Sequence, residues 1–355
     1  MLPPTTQTTV NEMNHPVIRA LLEIIERTPY PDDHTSQFWV LEGKRLRIEA
    51  REGRLALHGF LTTNEHRWGL FQRAMRAVER WSYRGVTTAL RSYPRVWSLA
   101  QRLAHDLGQG LSYDVWRLAV ALSVLADHWE QHRLSPSTVA LIGDGDGFLG
   151  ALIHRYVPGA RIYAIDLPKA LLFQACTHRK ADPQAALGRM TDGQAETATV
   201  VFVLPQEILQ MTGTIDCAVN IASMQEMTPG SIAAYFAWLR RRRGADSHFY
   251  CVNRLDKRLP GGQTTRFLDY PWQADDQAWI DGACGYYRHF LAPYTLPHGP
   301  RFLGLRVPCI NSFEGVIMHR LVCLGPAASE PRQEARIPDA IATASAADGS
   351  GRASR

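Results

Sequence analysis

Between Pro16 and about Arg133 the apolar positions recur three and four residues apart: Val17, Leu21, Ile24 and Ile25; Leu70, Met75 and Val78; Val96, Leu99, Leu103 and Leu107; Val115, Leu118, Leu122 and Leu125. That spacing lays each set along one stripe of an α-helix, so residues 15–133 are predicted as a mainly helical N-terminal cap domain. A short hairpin is predicted around Glu52-Gly53, between Ile48 and the run Leu55 to Phe60. From Ser135 the period changes. Thr138–Ile142, Arg161–Ile165, Thr199–Val203, Ile215–Asn220 and His248–Val252 are short apolar runs separated by helical stretches. Strands buried on both faces and alternating with helices pair in parallel, which predicts an α/β layered domain over 134–324. The boundary falls at Leu134-Ser135-Pro136-Ser137. Two last runs, Phe302 to Ile310 and Gly315 to Leu324, are predicted to close the sheet as a hairpin. Residues 1–14 and 325–355 lack apolar periodicity and read as loose tails.

Composition narrows the class. With 45% apolar and 21% charged residues in 355, the chain can bury a core, which excludes a wholly disordered or collagen-like protein. The net charge of +5 is too small to imply nucleic acid, and only four of the basic residues are lysines. The longest apolar stretches, Leu118–Ala126 and Ile162–Leu172, are far shorter than a membrane span, and the N-terminus lacks the basic and apolar regions of a signal peptide, so a cytoplasmic address is expected. Six cysteines stand far apart with no CxxC pair. They read as buried thiols, with neither a disulfide framework nor a zinc knuckle.

The most informative segment is Val139-Ala-Leu-Ile-Gly143-Asp144-Gly145-Asp146-Gly147-Phe-Leu-Gly150, a strand running through alternating glycines into a helix. Such a loop lets a ligand approach backbone that a Cβ would block, and it aims helix N-terminal amides outward. Nineteen residues past Gly147 the next strand ends at Asp166, where a carboxylate can accept hydrogen bonds from both hydroxyls of a ribose. The pair signals an adenosine-containing cofactor. Gly145-x-Gly147-x-x-Gly150 also satisfies the dinucleotide pattern, so NAD stays open, but two features favour S-adenosylmethionine. The turn begins one Gly-x earlier, at Gly143, and Asp144 and Asp146 put carboxylates where a pyrophosphate needs neutral amides.

These residues resemble the class I S-adenosylmethionine-dependent methyltransferases, and more narrowly the bacterial sugar O-methyltransferase family. The narrower resemblance is carried by Tyr163-Ala-Ile-Asp166-Leu-Pro168, Asp216-Cys-Ala-Val-Asn220-Ile-Ala-Ser223-Met-Gln225-Glu226-Met227, Tyr235-Phe236, Phe249-Tyr250-Cys-Val-Asn253-Arg254 and Asp269-Tyr-Pro-Trp272. It covers roughly residues 110–325. It implies a Rossmann-like class I methyltransferase sheet, with S-adenosylmethionine held by Gly143, Asp144, Gly145, Gly147, Asp166 and Leu167. It also places Pro205 and Gln206 near the adenine and Asn220 on the substrate side of the cofactor. The superfamily commonly carries an acid two positions before the first loop glycine, where this chain has Leu141; contacts to the methionine end are then expected from Asp144 or Asp146.

Methyl transfer to a sugar hydroxyl is an in-line displacement that needs alignment and a base. Glu226, after the fourth strand, reads equally as that base or as a carboxylate favoured at a helix N-terminus. His289 is the second candidate, as base or sugar contact. Ser223, Gln225, Asn253 and Arg254 are candidate sugar contacts at strand ends, and Trp272 belongs to an aromatic-rich stretch, 265–295, read as a substrate loop. Asp275-Asp276 reads as solvent-facing, and no metal is expected. Arg240-Arg-Arg-Arg243 reads as the cationic end of a helix. The helical region is expected to cover the acceptor and to serve a homodimer. The rival readings are an NAD-dependent oxidoreductase, for which the chain offers no Tyr-x-x-x-Lys, and a non-catalytic binding protein of the same fold, which Leu141 keeps open.

Overall fold

The computed structural model describes residues 6–8, 14–27, 37–44, 46–51, 54–59, 70–292, 294, 296 and 299–326. The helices are α1 Pro16–Arg27, α2 Gln37–Glu42, α3 Leu70–Ser82, α4 Tyr93–Leu107, α5 Tyr113–His132, α6 Phe148–Tyr156, α7 Pro168–Ala181 and α8 Pro229–Arg242, with a further turn at Arg84–Thr88. Their ends carry ordinary stop and start chemistry. Ser112 accepts the Val115 N–H at the head of α5, Thr228 accepts the Ser231 N–H at the head of α8 beside Pro229, and Gly108 closes α4 in the left-handed region. Among the described residues no helix is long and apolar enough to cross a membrane.

The central sheet has eight strands: β1 Thr138–Ile142, β2 Arg161–Ile165, β3 Leu187–Arg189, β4 Val200–Val203, β5 Ile215–Ile221, β6 Arg243–Arg254, β7 Gln277–Ala283 and β8 Ile317–Cys323. Their order is β7-β8-β6-β5-β1-β2-β4-β3. The six from β6 to β3 run parallel, while β8 is antiparallel to both β6 and β7. The order reverses at β1, so the carboxyl ends of β1, β2 and β5 open on a crevice. This is the Rossmann-like α/β sheet expected from the glycine loop and the alternating elements.

Three expectations are corrected. Among the described residues of the 15–133 cap there is no separate core: Val17, Leu21, Leu103, Leu107, Leu122 and Leu125 belong to one apolar cluster with Val139, Ile162, Val200, Val219 and Tyr250 on the sheet. The second sheet face packs on α8 through Phe236, Trp238 and Leu239. Residues 302–310 do not pair with 315–324. Instead β8 takes β7 as its neighbour, and Ile310–Ser312 pairs with His289–Leu291. The stretch 265–295 is thus partly sheet, and Trp272 is a half-buried ring packed on the core and stacked against Phe249, its indole N–H given to the Phe267 carbonyl. The hairpin is present, Arg47–Arg51 against Arg54–His58, with Thr6–Thr8 added to its edge. The rest of the two predicted tails lies outside the described residues, apart from Asn14 and residues 325–326.

Arg240 stands in the last turn of α8, as expected of a cationic helix end, but its side chain turns inward. It is buried, reaches both oxygens of Asp276 at 2.6 and 2.9 Å, and donates to the carbonyls of Pro271 and Gly325. Burial alone would raise the Asp276 carboxyl; the guanidinium and the N–H groups of Gln273 and Gly325 outweigh it and hold the group below its ordinary value. Asp276, expected to face solvent, is therefore a buried structural anchor. Arg240→Leu is expected to cost about 3–5 kcal/mol by stranding a buried carboxylate. Urea unfolding of the two proteins at pH 7 measures it.

Candidate active site

The glycine loop leaves β1 with Gly143, Gly145 and Gly147 all at positive φ (74°, 65° and 87°), the region where a side chain is strained. Two of them also lack room. A Cβ on Gly143 would stand 1.9 Å from the Ser223 hydroxyl oxygen, and one on Gly147 would stand 2.8 Å from the Gln174 backbone. The loop's own carboxylates use part of the helix N-terminus. Asp146 accepts the Phe148 N–H at 3.2 Å, and Asp144 accepts the Gly150 N–H at 2.7 Å. Burial, followed by repulsion from Asp146 and Asp166, holds the Asp144 carboxyl well above its ordinary value.

Asp166 follows β2. Its carboxyl accepts the Leu167 N–H at 2.8 Å and the Gln174 side-chain N–H at 2.8 Å. Gln174 also reaches the Gly145 carbonyl at 3.3 Å, clamping loop to acid, while its own carbonyl oxygen is buried without a partner. Burial pushes the Asp166 carboxyl up to about 7 against those hydrogen bonds. A carboxyl raised in the fold contributes stability that is full below its unfolded value of about 4 and lost as pH rises through about 7. The whole interval is worth at most ~4 kcal/mol, and solvent at the cavity reduces it to roughly 2 kcal/mol. Asp166→Asn is accordingly expected to raise Tm by about 2–4 °C at pH 8 and by little at pH 4. A thermal melt series across that range checks the sign.

These groups face a cavity of about 280 Å³. Its floor is Gly143 to Asp146 with Asp166, and its wall is Val219, Ile221, Ala222, Ser223 and Glu226 from the end of β5. The N-terminal region supplies the roof, Phe38 and Trp39 of α2 with Asp114, Arg117 and Leu118 of α5. A smaller cavity of about 40 Å³ shares Trp39, Asp166 and Ser223 and is lined further by Leu167, Pro205 and Tyr235. Arg117 is fixed by Asp114 at 2.5 Å and by the Tyr287 hydroxyl. The helical region was expected to cover the acceptor, but these roof residues were not singled out in the sequence, where nothing local ties Phe38, Trp39, Asp114, Arg117 or Leu118 to the glycine loop.

The remaining predicted residues divide. Leu141 is buried in the core. Gln206 is exposed and, unlike Pro205, lines neither cavity. Asn220 does not face the crevice: fully buried, it donates to the Ile142 carbonyl at 2.7 Å and accepts from the Met224 N–H and from Asn253. Asn253 accepts the Gln225 N–H at 3.1 Å, and Gln225 accepts the Arg254 N–H at 2.8 Å. Together they pin the turn Met224–Glu226 to the start of the glycine loop, a positioning task in place of the contacts expected of them. Arg254 is held by Glu314 at 3.0 Å. His289 lies elsewhere, stacked on Tyr83 at 4.6 Å with its Nε2 2.8 Å from the Ser82 hydroxyl, and lines neither cavity. Among the described residues no cluster of His, Cys, Asp and Glu could hold a metal.

No family model matches this sequence, and no curated protein does. Solved structures that it resembles include TehB from Haemophilus influenzae (12% identity, TM-score 0.38, 56% of this chain and 60% of that one). The match thus spans less than two thirds of the TehB chain. Others are a TehB-like SAM-dependent methyltransferase from Corynebacterium glutamicum (12%, 0.34, 56% and 85%) and coclaurine N-methyltransferase bound to N-methylheliamine and SAH (13%, 0.33, 46% and 50%). The fold assignment rests on the strand order and the glycine loop described above.

Proposed function

We propose that the protein is an S-adenosylmethionine-dependent O-methyltransferase acting on a hydroxyl of a sugar or glycosylated small molecule. The observation that carries the reading is the convergence of the glycine loop, Asp166 and Glu226 on one cavity roofed by α2 and α5. The residues present fit the cofactor. Asp166 would accept the ribose hydroxyls, Leu167, Pro205 and Tyr235 would border the adenine, and the backbone of Gly143 and Gly145 with Asp144 would hold the methionine end. Asp144 and Asp146 already occupy the Gly150 and Phe148 N–H groups at the helix N-terminus, the donors a pyrophosphate would use, which argues against a dinucleotide. Bound there, the cofactor supplies a methyl group made electrophilic by its sulfonium.

The chain's own contribution is orientation and proton removal. Glu226, on a turn fixed by Asn220 and Asn253, would take the proton of the acceptor hydroxyl. Phe38 and Trp39 line the cavity and would offer apolar faces to a sugar ring. The test is transfer of a labelled methyl group to a panel of glycosides and their aglycones. Methylation of glycosides on the sugar supports the reading; methylation only of thiols, amines or aglycones would remove the sugar assignment while keeping the transferase.

A further inference from the structure

The cavity over the glycine loop is lined by five carboxyl groups, those of Asp114, Asp144, Asp146, Asp166 and Glu226, and by one cation, Arg117. The smaller cavity beside it has no cationic residue among its described lining residues. A ligand that ends in an amino acid brings an ammonium and a carboxylate, and the two need opposite partners. Asp144 and Asp146 suit the ammonium and repel the carboxylate. A helix N-terminus is the usual place for an anion, but the head of α6 is already engaged. Asp146 takes the Phe148 N–H, Asp144 takes the Gly150 N–H, and the Gly147 N–H is turned to the Asp144 carbonyl at 3.3 Å.

Arg117 is the donor left for the carboxylate. On α5 its Nε donates to Asp114 at 2.5 Å and its Nη1 to the Tyr287 hydroxyl, with the guanidinium carbon 5.2 Å from the centre of the Tyr287 ring. Nη2 donates to no partner among the described residues and is not closed to solvent. The side chain is 19% exposed and lines the cavity. A guanidinium already fixed on two sides loses little freedom when an anion meets its third, and its planar fork matches a carboxylate.

We propose that Arg117, through Nη2, binds the α-carboxylate of the cofactor's methionine end, so that the roof helix α5 grips the cofactor opposite the glycine loop. The inference rests on the methyltransferase reading and adds to it the residue that recognises the amino-acid carboxylate.

The test is calorimetric titration of the full chain, with no acceptor present, by S-adenosylhomocysteine and by its decarboxylated form, which keeps the ammonium. Wild type is expected to bind the carboxylate-bearing ligand at least about tenfold tighter. Arg117→Met should weaken S-adenosylhomocysteine by about tenfold or more and the decarboxylated form by less than about threefold, which closes the gap. The double variant Asp114→Asn/Arg117→Met removes the ion pair as a unit, leaves no stranded carboxylate, and should give the same result if the single variant does not fold. Equal binding of the two ligands by wild type, or a preference that survives the loss of Arg117, would overturn the inference and leave the methyltransferase reading standing. Failure of wild type to bind S-adenosylhomocysteine at all would overturn both.

Discussion

Glu226→Gln is expected to lower kcat by about 10²–10⁴, the contribution of a positioned base, while S-adenosylhomocysteine binds within about twofold of wild type. The side chain keeps its size and its place on the turn that Asn220 and Asn253 hold, so the loss isolates the carboxylate. The pH profile sharpens the result. A base acts in its ionised form, so wild-type kcat should fall toward acid and the variant's residual rate should lose that limb. A variant with kcat within threefold of wild type would return Glu226 to the other role its place after the fourth strand suggested, that of a structural carboxylate.

Gly147→Ala is expected to be as damaging through geometry alone. The residue sits at φ 87°, and the added Cβ would meet the Gln174 backbone at 2.8 Å, which is helix α7 and cannot swing aside. The left-handed conformation costs a non-glycine residue about 1–2 kcal/mol, and separating the loop from α7 adds to it. Because Gln174 clamps Gly145 to Asp166, the same displacement breaks the ribose end of the site. Cofactor affinity is expected to fall by roughly 100-fold or more, alongside about 2–4 kcal/mol of stability. Calorimetry and urea unfolding of one preparation read both.

The sheet was legible because the central residues of β1, β2, β4, β5 and β6 are buried on both faces and so appear as short, largely apolar runs. β7 was not. It is an edge strand whose seven residues are all exposed or half-buried, so neither alternation nor an apolar run marks it. α5 shows why the cap was misread. Its buried residues, including Trp116, Val120, Leu122 and Trp129, surround the helix instead of forming one stripe, and a helix apolar all round belongs inside a core. Asn253 looked like a site residue because strand ends gather ligands, and Asn220 because the family resemblance placed it beside the cofactor, yet which way a strand-end side chain turns is set by partners far apart in sequence. Gly143 to Gly147 and Asp166 could be read because their chemistry and spacing are local.

The most direct measurement is calorimetric titration of S-adenosylhomocysteine into the purified protein at pH 8, with NAD and Asp166→Ala as controls. Saturable binding of S-adenosylhomocysteine, at least 100-fold weaker in Asp166→Ala and absent for NAD, is the predicted result. Binding of NAD in its place, or S-adenosylhomocysteine binding untouched by Asp166→Ala, would contradict the assignment of the glycine loop and its acid.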